Sequence, residues 1–153
     1  MQKITTFLWF DNNAEEAINF YCSIFPDAKL LSATRCGEAG PGPKGSLLSA
    51  SFQLAGQQFA ALNGGPMFKF NEAVSLVVNC ESQAEVDHYW EKLSAGGQEQ
   101  PCGWLKDKFG LSWQIVPTVL PKLLSHPDPA KAGRAMQAML QMKKLDIAAL
   151  ETA

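Results

Sequence analysis

Residues 73–97, AVSLVVNCESQAEVDHYWEKLSAGG, decide how the rest of the chain is read. Ala73 to Cys80 are small and β-branched, the composition of a half-buried strand. Ser82 with Glu85 three residues on is a helix-start pair. The serine hydroxyl accepts from a backbone N–H of the first turn while the glutamate reaches back. Val86, Tyr89, Trp90 and Leu93 then recur at helical spacing and give one apolar face. Gly96-Gly97 closes the helix, because glycine adopts the left-handed backbone at which helices end.

The same order stands in residues 4–27, ITTFLWFDNNAEEAINFYCSIFPD. Ile4 to Phe10 predict a strand apolar on both faces. Asn13 and Glu16 predict a second capping pair, and Ala14, Ala17, Ile18, Tyr21, Ile24 and Phe25 an apolar helical face that Pro26-Asp27 ends. Aligning Asn13 with Ser82 sets Ala17 on Val86, Phe20 on Tyr89, Tyr21 on Trp90 and Ile24 on Leu93. The repeat is weak in letters and strong in physical pattern.

Strands follow each helix. In the first half they are Lys29–Thr34, Ser46–Leu54 and Gln57–Asn63, with a tight turn at Ala55-Gly56. Residues 36–45, rich in Gly and Pro, form an irregular loop that is a connection or a lid. In the second half the strands are Gly103–Lys106 and Leu111–Pro117, joined at Asp107–Gly110, with Lys106-Asp107-Lys108 read as a solvated turn. Beyond them, Pro121–Pro129 reads as a linker. A helix starts at Asp128-Pro129 and runs to about Lys144, with Met136, Met139 and Leu140 as its soft stripe and Lys143-Lys144 suiting its C-terminus. Asp146 caps a last short helix carrying Ile147 and Leu150. This tail packs on its own domain or lies as an arm on a second subunit. The expected layout is one α+β domain over residues 1–120, in two modules of about 1–66 and 67–120, and a linker with a C-terminal helical extension over 121–153.

Composition narrows the function classes. The chain has 153 residues, 46% hydrophobic and 18% charged, with a net charge of −2. That suits one soluble domain, without the basic excess of a duplex-binding protein. No apolar run approaches the roughly 20 residues of a membrane span, and MQKITTFLWF reads as mature structure and not as a signal peptide. No nucleic acid and no membrane are expected as partners. Cys22, Cys36, Cys80 and Cys102 are widely spread, which suits reduced thiols in a cytoplasmic protein. Cys102 has no local histidine to activate it. Asp87 and Glu91, four apart on the second helix, read as facing water.

The stretches FLWFDNNAEEAINFY, GQQFAALNGGPMFKFNEAVSLVVNCESQAEVDHYWEKL, CGWLKDKFGLSWQIVP and AMLQMKKLDIAALETA resemble the PhnB-like branch of the vicinal oxygen chelate superfamily, which includes glyoxalase, bleomycin-resistance and extradiol dioxygenase relatives. That branch is often labelled 3-demethylubiquinone-9 3-methyltransferase domain. The resemblance implies two βαβββ modules of the glyoxalase/bleomycin-resistance type, each curling around a cleft, within a homodimer. A nucleotide-type methyl-donor site is not expected, because Asp11-Asn12-Asn13 stand where a Gly-rich turn would follow the first strand.

Metal-dependent members of the superfamily place a His, Gln or Glu on the first and last strand of each module. Carried over, those positions fall on Thr5 or Thr6, on Asn63 or Ala61, between Ala73 and Ser75, and on Gln114. None is His, Glu or Asp, and neutral oxygen donors lack the charge to offset dehydration of a divalent ion. His88 sits within the second helix and His126 in the Pro-rich segment. No metal and no other cofactor are therefore expected. What remains is an aromatic cleft with a few polar groups, the usual recipe for a small-molecule site. Its candidate residues are Thr5, Phe7, Trp9, Asn63, Ser75, Trp104, Trp113 and Gln114, with Lys106 beside them. Three readings stand open: a metal-free small-molecule binding protein, a superfamily enzyme with an unconventional metal site, and a structural or regulatory dimeric protein.

Overall fold

The computed structural model describes residues 2–153. The chain divides into two compact units, Met1–Phe70 and Asn71–Ala153.

The first unit comprises β1 (Thr6–Phe10), α1 (Ala14–Ile24), β2 (Lys29–Arg35), β3 (Leu47–Leu54) and β4 (Gln57–Asn63). They form a sheet in the order β1-β4-β3-β2, with β1 parallel to β4 and the other pairs antiparallel. Alternation sorts the side chains. Leu8, Phe10, Ala50, Phe52, Phe59 and Ala61 are buried, as are Ala14, Ala17, Ile18, Tyr21 and Ile24 of α1, so α1 covers one face of the sheet. Ala55 and Gly56 have φ of 48° and 80°, the left-handed pair that a two-residue hairpin turn requires.

Two expectations change here. β1 begins at Thr6 and not at Ile4, because its ladder with β4 starts at the Thr6–Phe59 pair; Ile4 is 84% exposed. The α1 cap also differs. Asn13 makes no capping bond, its backbone (φ −117°, ψ 25°) lacking the extended conformation that aims a side chain back at the helix. Asn63 does this from the end of β4: its Oδ1 accepts from the Ala14 N–H at 2.9 Å, and its Nδ2 donates to Leu47 O at 3.0 Å. Asn63→Ala removes both bonds and should cost about 1–2 kcal/mol, read as a lower thermal midpoint. Asn13→Ala should leave that midpoint nearly unchanged.

The second unit comprises β5 (Ser75–Cys80), α2 (Gln83–Ser94), β6 (Gln98–Glu99), β7 (Trp104–Lys106) and β8 (Ser112–Pro117), a sheet in the order β5-β8-β7-β6. It repeats the first in topology, with β5 parallel to β8. The Ser82 hydroxyl accepts from the Glu85 N–H at 3.2 Å, while Glu85 takes the N–H of Glu81 at 3.4 Å. Gly97 runs so close to β7 that a Cβ there would lie 2.1 Å from the Lys106 carbonyl. Only glycine lets β6 approach.

The tail belongs to this second unit. It forms α3 (Val119–Leu124), α4 (Pro129–Leu140) and α5 (Ile147–Glu151). The expected linker is thus partly helical, with Pro121 in the first turn of α3, where a missing N–H costs nothing. α4 ends at Leu140, so Lys143 and Lys144 lie beyond its last turn. Asp128 and Asp146 cap α4 and α5 through the N–H groups of Ala130 and Ala149.

Backbone and side chains fasten the tail. Cys102 N–H donates to Met142 O, and Gly103 N–H to Lys143 O, both at 2.8 Å. Gln83 of α2 donates to Leu145 O at 3.1 Å and accepts from Ile147 N–H at 2.8 Å. Lys144 lies 3.0 Å from Asp87. A hydrogen bond from Gln83, together with Lys144, holds the Asp87 carboxyl below its ordinary range, so Asp87 is a tail anchor and not an idle surface charge. Among the described residues no helix is long and apolar enough to cross a membrane.

Candidate functional site

Each sheet has one face under α1 or α2; in the second unit the tail cluster of Leu120, Leu145 and Leu150 meets the other face at Val116. In the second unit, the β7–β8–β5 register sets Trp104 beside Gln114 and Gln114 beside Val77; in the next row it sets Lys106 beside Ser112 and Ser112 beside Ser75. Partners in register share a face, so these six residues form two rows on the face opposite α2. The rows are linked: Gln114 Nε2 donates to Ser75 Oγ at 2.9 Å.

Ser112 stands out. Its hydroxyl is fully buried and has no hydrogen-bond partner, a state that costs roughly 1–3 kcal/mol. Beside it, Lys106 Nζ lies 3.0 Å from Glu72 Oε1; the hydrogen bond from Lys106 lowers the Glu72 pKa. Sequence reading missed Ser112, although period-two spacing from Gln114 pointed to it.

Trp113 lies on the other face. It is 3% exposed, and its indole N–H donates to Asp107 Oδ2 at 2.9 Å. Asp107 also accepts from the N–H groups of Phe109 (2.9 Å) and Leu111 (3.1 Å), and is itself 2% exposed. The Lys106-Asp107-Lys108 turn is therefore not simply solvated. Its carboxylate is a buried clasp, because an aspartate opening a tight turn can collect the turn's own N–H groups.

In the first unit, Phe7 and Trp9 share the face of β1 opposite α1, and Phe7 is 59% exposed. Trp9 is held in place: its indole N–H donates to Gly65 O at 2.9 Å, and its ring meets Phe68 edge-on at 4.9 Å. A Cβ on Gly64 would fall 2.4 Å from that indole, so the chain passes flat against the ring. Thr6 points to the α1 side with Leu8 and Phe10. Thr5 is exposed and precedes the strand. Asn63 is on the α1 side, engaged by Ala14 and Leu47.

The structure thus brings Ser75, Trp104 and Gln114 together within the second unit, and Phe7 with Trp9 within the first. Asn63 and Trp113 lie on the helix-covered faces. The donor chemistry does not fit a divalent ion: at the carried-over positions of the second unit stand a serine and a glutamine bonded to each other. Among the described residues no three His, Cys, Asp or Glu side chains are grouped to hold a metal. All four cysteines are free; burial, helped by Glu85 and Glu81, pushes the Cys80 thiol up to about 12, and burial raises Cys22.

Comparison with known proteins gives a consistent picture. The family model described as 3-demethylubiquinone-9 3-methyltransferase matches residues 2–116. A PhnB protein from Bacillus cereus, also described as a 3-demethylubiquinone-9 3-methyltransferase, is 40% identical, with a TM-score of 0.72 over 76% of this chain and 100% of its own. A protein from Pseudomonas aeruginosa is 22% identical, with a TM-score of 0.63 over 76% of this chain and 98% of its own. A mutant of the fosfomycin resistance protein FosX from Listeria monocytogenes, complexed with Mn(II) and 1S,2S-dihydroxypropylphosphonic acid, is 18% identical, with a TM-score of 0.60 over 82% of this chain and 100% of its own. The last two share the fold alone. Comparison with curated proteins gave no match. Despite the family's description, neither sheet is the all-parallel, doubly wound kind whose Gly-rich turn meets a nucleotide-type methyl donor.

Proposed function

Because the chain belongs to the 3-demethylubiquinone-9 3-methyltransferase family, the PhnB-like branch of the vicinal oxygen chelate superfamily, we propose that it is a metal-free, cytoplasmic, homodimeric protein that binds a small organic molecule against its open sheet faces. One observation carries this reading. Gln114 and Ser75, both half-buried, are bonded to each other beside the half-buried Trp104. Neutral donors and acceptors next to an indole suit hydrogen bonding and stacking of a compact ring-bearing ligand. A divalent ion asks instead for charged or imidazole ligands. In the first unit, Phe7 and Trp9 give β1 an aromatic surface of its own.

The test is native mass spectrometry of the full chain purified without chelator, followed by an aromatic fragment screen read by tryptophan fluorescence. The expected result is a dimer mass without stoichiometric metal, and fragments whose affinity Gln114→Ala weakens about tenfold. Near-stoichiometric nickel, zinc, manganese or iron overturns the metal-free reading. Fragment binding that Gln114→Ala leaves untouched overturns the site.

A further inference from the structure

The tail helices enclose a cavity of about 200 Å³, open on one side, far along the chain from the sheet residues above. Leu123 of α3, Ala135 of α4 and Leu150 of α5 line it with apolar surface, and Ala135 and Leu150 are buried. Its polar lining is mixed: Lys131, Arg134 and His126 on one hand, Glu151 and the main-chain oxygen of Ala153 on the other. Lys131 and Arg134, three apart on one face of α4, both border it. Lys131 forms no ion pair among the described residues; Arg134 Nε donates at 3.3 Å to the oxygen of Ala153, which also borders the cavity, so a ligand meets its remaining guanidinium N–H groups.

His126 also borders it and is fixed in orientation. Its Nδ1 accepts from the Asp128 N–H at 2.9 Å, so in the neutral ring the proton sits on Nε2 and that nitrogen donates. Glu151 is the one carboxylate side chain on the lining. A cavity of about 150 Å³ holds a benzene ring, so this one accommodates a ring with a small head group.

We propose that this cavity binds a small monocarboxylate with an apolar body, its carboxylate toward Lys131, Arg134 and His126 and its body against Leu123, Ala135 and Leu150. All these residues lie beyond residue 116, where the family match ends, so the site is additional to the open sheet faces. Glu151 disfavours ligands of higher negative charge by repulsion.

The test is a titration of the isotopically labelled full chain with benzoate, followed by amide chemical shifts. Expected are saturable shifts at His126, Lys131, Arg134 and Leu150. The Lys131→Ala/Arg134→Ala double variant should weaken binding at least about tenfold with an unchanged thermal midpoint, since both side chains are exposed. Benzyl alcohol, alike in shape but neutral, and inorganic phosphate, charged but without a body, should each bind at least about tenfold more weakly than benzoate. Absence of saturable shifts at millimolar benzoate, equal binding of benzyl alcohol or phosphate, or full binding by the double variant overturns the proposal. Shifts confined to Ser75, Trp104 and Gln114 also overturn it, while supporting the sheet-face site.

Discussion

Asp107→Ala should lower stability by about 3–5 kcal/mol, because it strands three donors at once: the Trp113 indole and the N–H groups of Phe109 and Leu111. Removing an acceptor from buried donors costs their desolvation, which water cannot repair where the carboxylate is 2% exposed. For a chain of this length the thermal midpoint should fall by on the order of 10 °C. Asp107→Asn retains one acceptor oxygen but turns an amide N–H₂ toward a donor, so an intermediate loss of about 1–2 kcal/mol is expected. Thermal melts of the two variants, with Trp113 fluorescence as the local reporter, check the order. An Asp107→Ala midpoint equal to that of the parent would show that the clasp contributes nothing. The effect reaches the proposed site: the turn sets where β7 ends, and thereby where Lys106 and Trp104 stand beside β8.

Leu145→Ala should cost about 3 kcal/mol, within the usual range for a buried leucine. Leu145 is fully buried and packs in a cluster with Leu120 and Leu150, to which Leu123, Met139 and Met142 add their partly buried side chains. Its side chain also lies against Gly103, where a Cβ would come within 3.0 Å of it. The loss should be local. Hydrogen exchange of the amides in α4 and α5 should accelerate well before those of α1, because the second unit's tail leans on this one side chain. Uniform acceleration across both units would refute a locally anchored tail. Benzoate binding in the tail cavity should weaken in the same variant, since Leu150 lines both cluster and cavity.

The parts legible in the sequence are those written in local periodicity. The two strand–helix halves, the Ser82 cap, the Ala55-Gly56 turn and the caps of α4 and α5 each depend on neighbours within a few residues, so spacing alone exposes them. Asn13 shows the limit. It has the right residue type at the right place, yet Asn63, 49 residues beyond the Ala14 whose N–H it accepts, does the capping. Trp113 and Gln114 show the same limit for the site. Adjacent residues on a strand face opposite ways, and spacing could not tell which of them faced α2.

What the sequence by itself determined about this protein is its family, its twice-repeated strand–helix–strands plan, without the short β6 (Gln98–Glu99), and the neutral character of the side chains at the carried-over metal positions. Those follow from residue identity and local pattern. Only the tertiary structure decided that Gln114 meets Ser75, that Ser112 is buried without a partner, that Asp107 is a clasp, and that the tail helices border a cavity open on one side. The physical reason is that each of these depends on strand register or on helix docking between distant residues. Such contacts are settled by burial and hydrogen-bond satisfaction across the whole unit, and leave no local periodic trace.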